Sequence, residues 1–393
     1  MKNKVVLAYS GGLDTSFCVK YLTQEKNLEV HSVLVDTGGF SQQELKAVSD
    51  RAYELGVTSH VNEQVTQEFY DQCVKYLIFG NVLRNHTYPL SVSAERMFQA
   101  IKVAQHAQKI GADYIAHGST GAGNDQVRFD LVFEIMCPDI EVLTLSRQQE
   151  IEYLSKAGVE LPWEKAQYSI NQGIWGTSVG GSETLTSNLP LPETAYPSSL
   201  RAQKPLLLDL EFKQGEPVAI NDQHFDHAVG CIQHLQSLAS PYAIGRDIHV
   251  GDTIIGIKGR VGFEAAAPMI ILKAHHLLEK HCLVKWQQYW KEQLANWYGM
   301  MLHEGQFMDP VMRNIEAFLS DTQKCVSGTV HIELKPYQFA LNGITSHHDL
   351  MGTQFGQYGE MNAGWTGGDV KGFTKILANQ NKIYHQVNGL DHV

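Results

Sequence analysis

Closely spaced cysteines are missing from this chain. Its six cysteines, Cys18, Cys73, Cys137, Cys231, Cys282 and Cys325, are scattered over 393 residues with no CxxC pair. That excludes a zinc knuckle and a thioredoxin-type motif. Six thiols over this length make no disulfide framework, so reduced cysteines in a cytoplasmic protein are expected. Long hydrophobic runs are missing too. Near the N-terminus only Val5-Val6-Leu7-Ala8-Tyr9 is apolar, too short for a signal peptide, and no stretch approaches a membrane span. Positive charge is in deficit, with 31 Lys and Arg against 42 Asp and Glu, a net −11 with His neutral. This argues against a broad nucleic-acid surface. No internal repeat or low-complexity tract occurs.

What is present is a globular composition, 43% hydrophobic and 19% charged, long enough for two cores. The first part alternates strand and helix patterns. Val5–Tyr9 and Val30–Val35 read as strands. Leu13, Phe17 and Tyr21, then Leu45, Val48, Ala52 and Leu55 before Gly56, recur at helical spacing. Ala94–Ile110 is a predicted helix stopped by Gly111, and Tyr114–Ala116 and Glu141–Leu145 are short strands. Such alternation predicts an α/β fold with a mainly parallel sheet. Around Pro162 the pattern changes to Gly-, Ser- and Pro-rich loops. Leu206–Phe212 and Val218–Ile220 then read as a hairpin, Asp252–Lys258 and Met269–Leu272 as strands, and Leu277–Met301 as a helix. Trp286, Trp290 and Trp297 on that helix read as a packed core stripe. Thr329–Lys335 and Gln338–Leu341 form a final strand pair. Residues 367–393 carry Val370, Phe373, Leu377 and Tyr384 near helical spacing, an amphipathic arm that cannot bury itself alone. The expected division is a nucleotide-binding domain over 1–165, an α+β domain over 166–366 and the arm over 367–393.

Ser10-Gly11-Gly12-Leu13-Asp14-Thr15-Ser16 follows a strand and opens a helix. Two glycines let backbone N–H groups approach an anion. The helix N-terminus adds partial positive charge, and Ser10, Thr15 and Ser16 add hydroxyls. The loop lacks the Walker spacing with its lysine and also lacks GxGxxG. A plain strand–turn–helix junction is the alternative, outweighed by the glycines, hydroxyls and acid standing together. The string Ala8–Ser16 resembles the pyrophosphate loop of the PP-loop ATP pyrophosphatases, and within them the argininosuccinate synthase family. That resemblance implies cleavage of ATP between its α- and β-phosphates, with Mg²⁺ riding on the phosphates, and ligation of citrulline to aspartate through a citrullyl-adenylate.

A second string, His117-Gly118-Ser119-Thr120-Gly121-Ala122-Gly123-Asn124-Asp125-Gln126-Val127-Arg128-Phe129, also follows a strand. By chemistry it is a glycine-hinged loop with Arg128 for a carboxylate and Asp125 for an ammonium; a Gly-rich turn with a helix cap is the alternative. It matches the family's HGxTGxGNDQVRF pattern. The resemblance implies that Ala8, Tyr9, Ser10, Gly11, Gly12, Leu13, Asp14, Thr15, Ser16, Val35 and Gly118 bind ATP, with Asp14, Ser10 and Thr15 catalytic. It assigns Tyr88, Ser93, Asn124, Arg128, Ser169 and Ser178 to citrulline, and Thr120, Asn124 and Asp125 to aspartate. Arg96 falls on the aspartate or phosphate side. It also implies a homotetramer, with small-molecule substrates and neither nucleic acid nor membrane as partner.

The match breaks at one place. A family Glu and a Tyr twelve residues later, both citrulline contacts, align with Gly251 and Phe263. Asp252 is the expected substitute through a one-residue shift at a strand end; a pocket tolerating N-acylated citrulline is the other possibility. His275-His276 and His347-His348 have no third ligand at matching spacing and read as structural. Another PP-loop ligase, or a nucleotide-binding regulator without chemistry, are the competing readings. An amidotransferase would need a glutaminase module or N-terminal Cys, and a tRNA sulfur-transfer enzyme would need catalytic cysteines and a basic face. No general base is evident.

Overall fold

Val5, Val6 and Leu7 are apolar on both faces of the chain, as a central strand covered on both sides requires. In the computed structural model, which describes residues 2–119, 123–144, 168–352 and 364–389, they lie fully buried in β1 (Lys4–Ala8). Each such side chain contributes about 1.5–3 kcal/mol. α1 (Leu13–Lys20) leads to β2 (Glu29–Asp36), and α2 (Gln42–Leu55) to β3 (Ser59–Gln64). Ser41 and Glu44 close a capping box at the start of α2, and Gly56 at φ +105° ends it. A helical stretch over 66–79 and α3 (Ser91–Ile110) precede β4 (Tyr114–His117), and α4 (Asn124–Met136) precedes β5 (Glu141–Thr144).

The sheet order is β3-β2-β1-β4-β5, with every pair parallel. The chain winds outward from β1 to β3 and then returns to the other side of β1. That reversal opens a crevice beyond the carboxyl ends of β1 and β4, the usual ligand position in such sheets.

Beyond it come the hairpin β6 (Ser169–Gly173) and β7 (Gly176–Gly180), then β8 (Leu206–Lys213), β9 (Glu216–Ile220) and β10 (Gln223–His224). α5 (Ala228–Ala239), β11 (Arg246–Asp252) and β12 (Lys258–Glu264) follow, then α6 (Ala266–Cys282), α7 (Lys285–His303), α8 (Pro310–Thr322), β13 (Gly328–Lys335) and β14 (Gln338–Thr345). They build two further sheets, β11-β12-β7-β6 and β10-β9-β8-β13-β14. The chain forms two compact units, Met1–His347 and His348–Val393. The second carries α9 (Gly367–Leu377) and α10 (Asn379–Asn388). No helix among the described residues is long and apolar enough to cross a membrane.

Four expectations are corrected. Asp252–Lys258 is no strand: these residues pair as the last rung of β11 and β12, and Gly256 at φ +83° turns the chain between them. Its isoleucines mimic a strand, but Ile255 and Ile257 are exposed. Met269–Leu272 lies inside α6, where burial on nearly every side hides the helical period. Leu277–Met301 is two helices, broken where Leu283 and Val284 adopt extended backbone. Trp286, Trp290 and Trp297 are each more than half exposed, so the stripe is not part of this chain's core. Leu145 lies outside the described residues.

Candidate active site

The loop after β1 is tied to itself by its own hydroxyls. Ser16 Oγ donates to the Gly12 carbonyl at 2.7 Å, and Thr15 Oγ1 donates to the same oxygen at 3.2 Å. Ser10 Oγ lies 3.3 Å from Thr15 Oγ1 and accepts from the Gly12 N–H at 3.4 Å. Gly11 sits at φ +75°, a conformation that favours glycine. Gly12 is the N-cap of α1, and no side chain caps that end. First-turn N–H groups free of a side-chain cap at the mouth of a crevice suit an anion. Ala8 ends β1, Tyr9 is buried beside His60, and Val35 is buried near the end of β2. Asp14 lies in the first turn of α1.

The second loop closes on the first. A Cβ on Gly118 would stand 3.1 Å from Thr15 Cγ2 and 3.3 Å from Asp14 Cβ, so only a glycine fits there without displacement. His117 braces its base: Nδ1 accepts from the Ser119 N–H at 3.1 Å, and Nε2 lies 2.9 Å from Asp130 Oδ1 on α4. The bond from Ser119 requires Nδ1 to be the acceptor, so Nε2 carries the proton. Thr120 lies outside the described residues.

Asp125, in the first turn of α4, is gripped from two sides. Arg96 Nε donates to Oδ2 at 2.8 Å and Arg128 Nη1 to Oδ1 at 3.0 Å. Burial would push its carboxyl up; the Arg96 guanidinium, then that of Arg128, hold it below the usual range. Arg128 is buried and also donates to Ser93 Oγ at 3.0 Å and to the His303 carbonyl at 2.9 Å. Arg96 reaches Asn171 Oδ1 on β6 at 2.8 Å, which joins the β6–β7 hairpin to this cluster. Asn124 Oδ1 accepts from the Ile254 N–H in the β11–β12 turn at 2.8 Å. Tyr88 is buried, with its hydroxyl 3.1 Å from Ser91 Oγ and accepting from the Val92 N–H. Leu90 between Tyr88 and Ser93 is held at φ +64°, a strain of order 1 kcal/mol or more kept by its complete burial. Ser178 is buried on β7 opposite both Asn171 and Phe263, whereas Ser169 at the start of β6 is exposed.

The geometry thus brings Arg96, Asp125, Arg128 and Ser93 into one bonded group, with Asn124 at the adjoining turn. It does not bring in Asp252. That side chain is exposed, bound to Lys258 at 2.6 Å, and on the opposite face of β11 from Gly251. Residues that spacing alone did not single out are Asn171, His249, His303 and Glu95. Glu95 follows Ser93 by two positions, and burial pushes its carboxyl to about 8. Only its place in the Ser93–Arg96 run hinted at it. His275 and Glu279 are buried with Lys291, whose ammonium lies 2.8 Å from the Glu279 carboxylate, so a cation already sits beside it. No group of three metal-ligating side chains occurs among the described residues.

Comparison with known proteins agrees over nearly all of the chain. Residues 4–160 match the model of the arginosuccinate synthase N-terminal HUP domain, and residues 168–384 match that of the C-terminal domain. Among curated relatives, the argininosuccinate synthase of Methanocaldococcus jannaschii is 36% identical, over 85% of this chain and 86% of its own. That of Dictyoglomus turgidum is 35% identical over 98% of both chains, and that of Xanthomonas campestris 34% identical over 98% of both.

Proposed function

Since the chain belongs to the argininosuccinate synthase family, we propose that it joins L-citrulline to L-aspartate, cleaving ATP to AMP and pyrophosphate through a citrullyl-adenylate. The observation that carries this reading is the closure of Gly118 on Thr15 and Asp14 at the reversal of the sheet, with a charged cluster on α3 and α4 beside it.

ATP is placed with its adenine against Val35 and its β- and γ-phosphates along Ala8–Ser16, with Gly118 facing it. Citrulline falls to Tyr88, Ser93, Asn124, Arg128, Ser169 and Ser178, and aspartate to Thr120, Asn124 and Asp125, with Arg96 on the aspartate or phosphate side. The ureido oxygen attacks the α-phosphorus and the bond to pyrophosphate breaks. Loop N–H groups and the α1 dipole stabilise the leaving charge. The α-amino group of aspartate then attacks the ureido carbon and AMP departs. Alignment of the reactants supplies about 7–11 kcal/mol of such a barrier. Mg²⁺ carried on the phosphates would supply further charge neutralisation. Residues 1–165 are the nucleotide half, 166–366 the synthetase half and 367–393 an assembly arm of a cytoplasmic homotetramer.

The test is pyrophosphate release from ATP with citrulline and aspartate, with argininosuccinate identified by mass spectrometry. Release without citrulline, or no ligated product, would refute the reading.

A further inference from the structure

Tyr88, assigned above to citrulline, stacks on the His249 ring at 5.3 Å and tilts against Phe263 at 5.4 Å. His249 is more than nine-tenths buried, and its Nδ1 has no hydrogen-bond partner. A side chain at Gly251, two residues along the same face of β11, would begin 2.6 Å from His249 Nε2. The imidazole therefore fills the space where the next inward-facing side chain of the strand would start. Phe263, fully buried, offers no hydroxyl.

The charges around this ring are engaged, positive or suppressed. Glu95, which acts on Tyr88, has its carboxyl pushed by burial to about 8 and is uncharged at neutral pH. Asp125 is taken by Arg96 and Arg128. Glu304 lies 3.2 Å from His303 Nδ1 and 3.9 Å from Arg84. Asp247 accepts from the Ile248 N–H, and Asp252 faces away with Lys258. Arg84 Nε is buried without a partner. Burial, then the Arg84 charge, pushes the His249 imidazole below its ordinary range, so the ring is neutral at neutral pH. A neutral ring and an unpaired guanidinium N–H suit an amide, which offers both a donor and an acceptor. They provide no carboxylate for an ammonium, which is costly to bury unpaired.

We propose that His249 sets specificity at the α-nitrogen end of the citrulline site, and that this pocket accepts an N-acylated citrulline alongside citrulline itself. The inference rests on the ligase reading above. The free ring nitrogen of His249 meets the amide, and Arg84 Nε–H meets the acyl oxygen.

The experiment compares citrulline with Nα-acetylcitrulline for pyrophosphate release by the full chain, with ATP and aspartate present. A site built to pair an ammonium would reject the neutral analogue by about 10⁴, whereas here kcat/KM for acetylcitrulline should fall no more than about tenfold below that for citrulline. Any larger deficit for the acetylated substrate overturns the proposal while leaving the ligase reading intact. Turnover of neither substrate overturns the ligase reading, and this one with it. The double variant His249→Ala/Gly251→Glu, checked for folding by its melting curve, should raise the citrulline-to-acetylcitrulline ratio at least tenfold. The conservative His249→Gln should leave that ratio near its wild-type value. An unchanged ratio in the double variant would remove His249 from the role.

Discussion

Single positions in the nucleotide loop separate folding from binding. Gly12 has ordinary backbone, φ −76°, and an added Cβ would meet only Ser10 Oγ at 3.4 Å. Gly12→Val should therefore fold with a melting temperature within a few degrees of wild type. Its side chain would nevertheless stand at the mouth of the α1 terminus, and pyrophosphate release should fall by about 10² or more, the scale of losing an anion-stabilising donor. Substantial turnover by a folded variant would remove the cradle assignment. Asp125 is a different case, because its two oxygens hold two guanidinium groups. Asp125→Asn keeps the shape and removes the charge between Arg96 and Arg128. Steady-state kinetics should show the aspartate KM rising most, with a smaller rise for citrulline through Arg128. Collapse of adenylate formation measured without aspartate would show that the cluster is divided wrongly. The carboxyl is held below its unfolded value, so its contribution to stability is complete above the ordinary carboxylate range and is lost as pH falls through the folded value.

At the scale of elements, α6 and α7 are joined by a buried ion pair. Lys291 Nζ lies 2.8 Å from Glu279 and donates to the Phe79 carbonyl at 2.7 Å. Gln323 Nε2 also donates to Glu279, and His275 Nε2 lies 2.9 Å from Gln323 Oε1. Lys291→Met leaves a buried carboxylate without its cation and should cost about 3–5 kcal/mol in chemical denaturation. Within the same network, burial holds the His275 imidazole at about 4 against 6.5 unfolded. Between those values the unfolded chain binds a proton that the folded chain refuses, so stability should fall as pH drops through that window and be flat above it. A His275→Gln variant should show a shallower decline. These buried polar networks were not legible in the sequence, because Asn81, which donates to Glu279, lies nearly two hundred residues before the carboxylate it holds, and Lys291 and Gln323 join from two further helical segments, with no local spacing to mark them. The two loops were legible, because each is a continuous string whose chemistry is read in order after a strand. The parallel sheet was legible for the same reason. The β11–β12 turn and the inside of α6 were misread: isoleucine runs look alike in a turn, a strand and an all-round buried helix, and only tertiary packing distinguishes them.

For the whole molecule, the remaining question is what covers the apolar surface this chain leaves open. α9 and α10 are 11 and 10 residues long, shorter than helices that hold alone in water. A capping box between Thr366 and Asp369 helps α9 start, but capping contributes only about 0.5–2 kcal/mol. Val370, Phe373, Ile376, Leu377, Ile383, Tyr384 and Val387 are all exposed in the unit 348–393. In the other unit Trp286, Tyr289, Trp290 and Trp297 are exposed along α7. Aromatic side chains in such number on a surface mark an interaction site rather than scattered exposure. Each surface is expected at an interface between copies of the chain. Deleting Asp369–Val393 should lower the assembly mass measured by light scattering after size exclusion, while the remaining unit keeps its melting transition. Trp286→Glu with Trp290→Glu in the intact chain tests the second surface separately, since charge placed at an aromatic contact opposes burial whatever the partner face contributes. If the truncated chain elutes with the wild-type mass, the arm has no part in assembly; if only the tryptophan variant falls apart, α7 alone carries it.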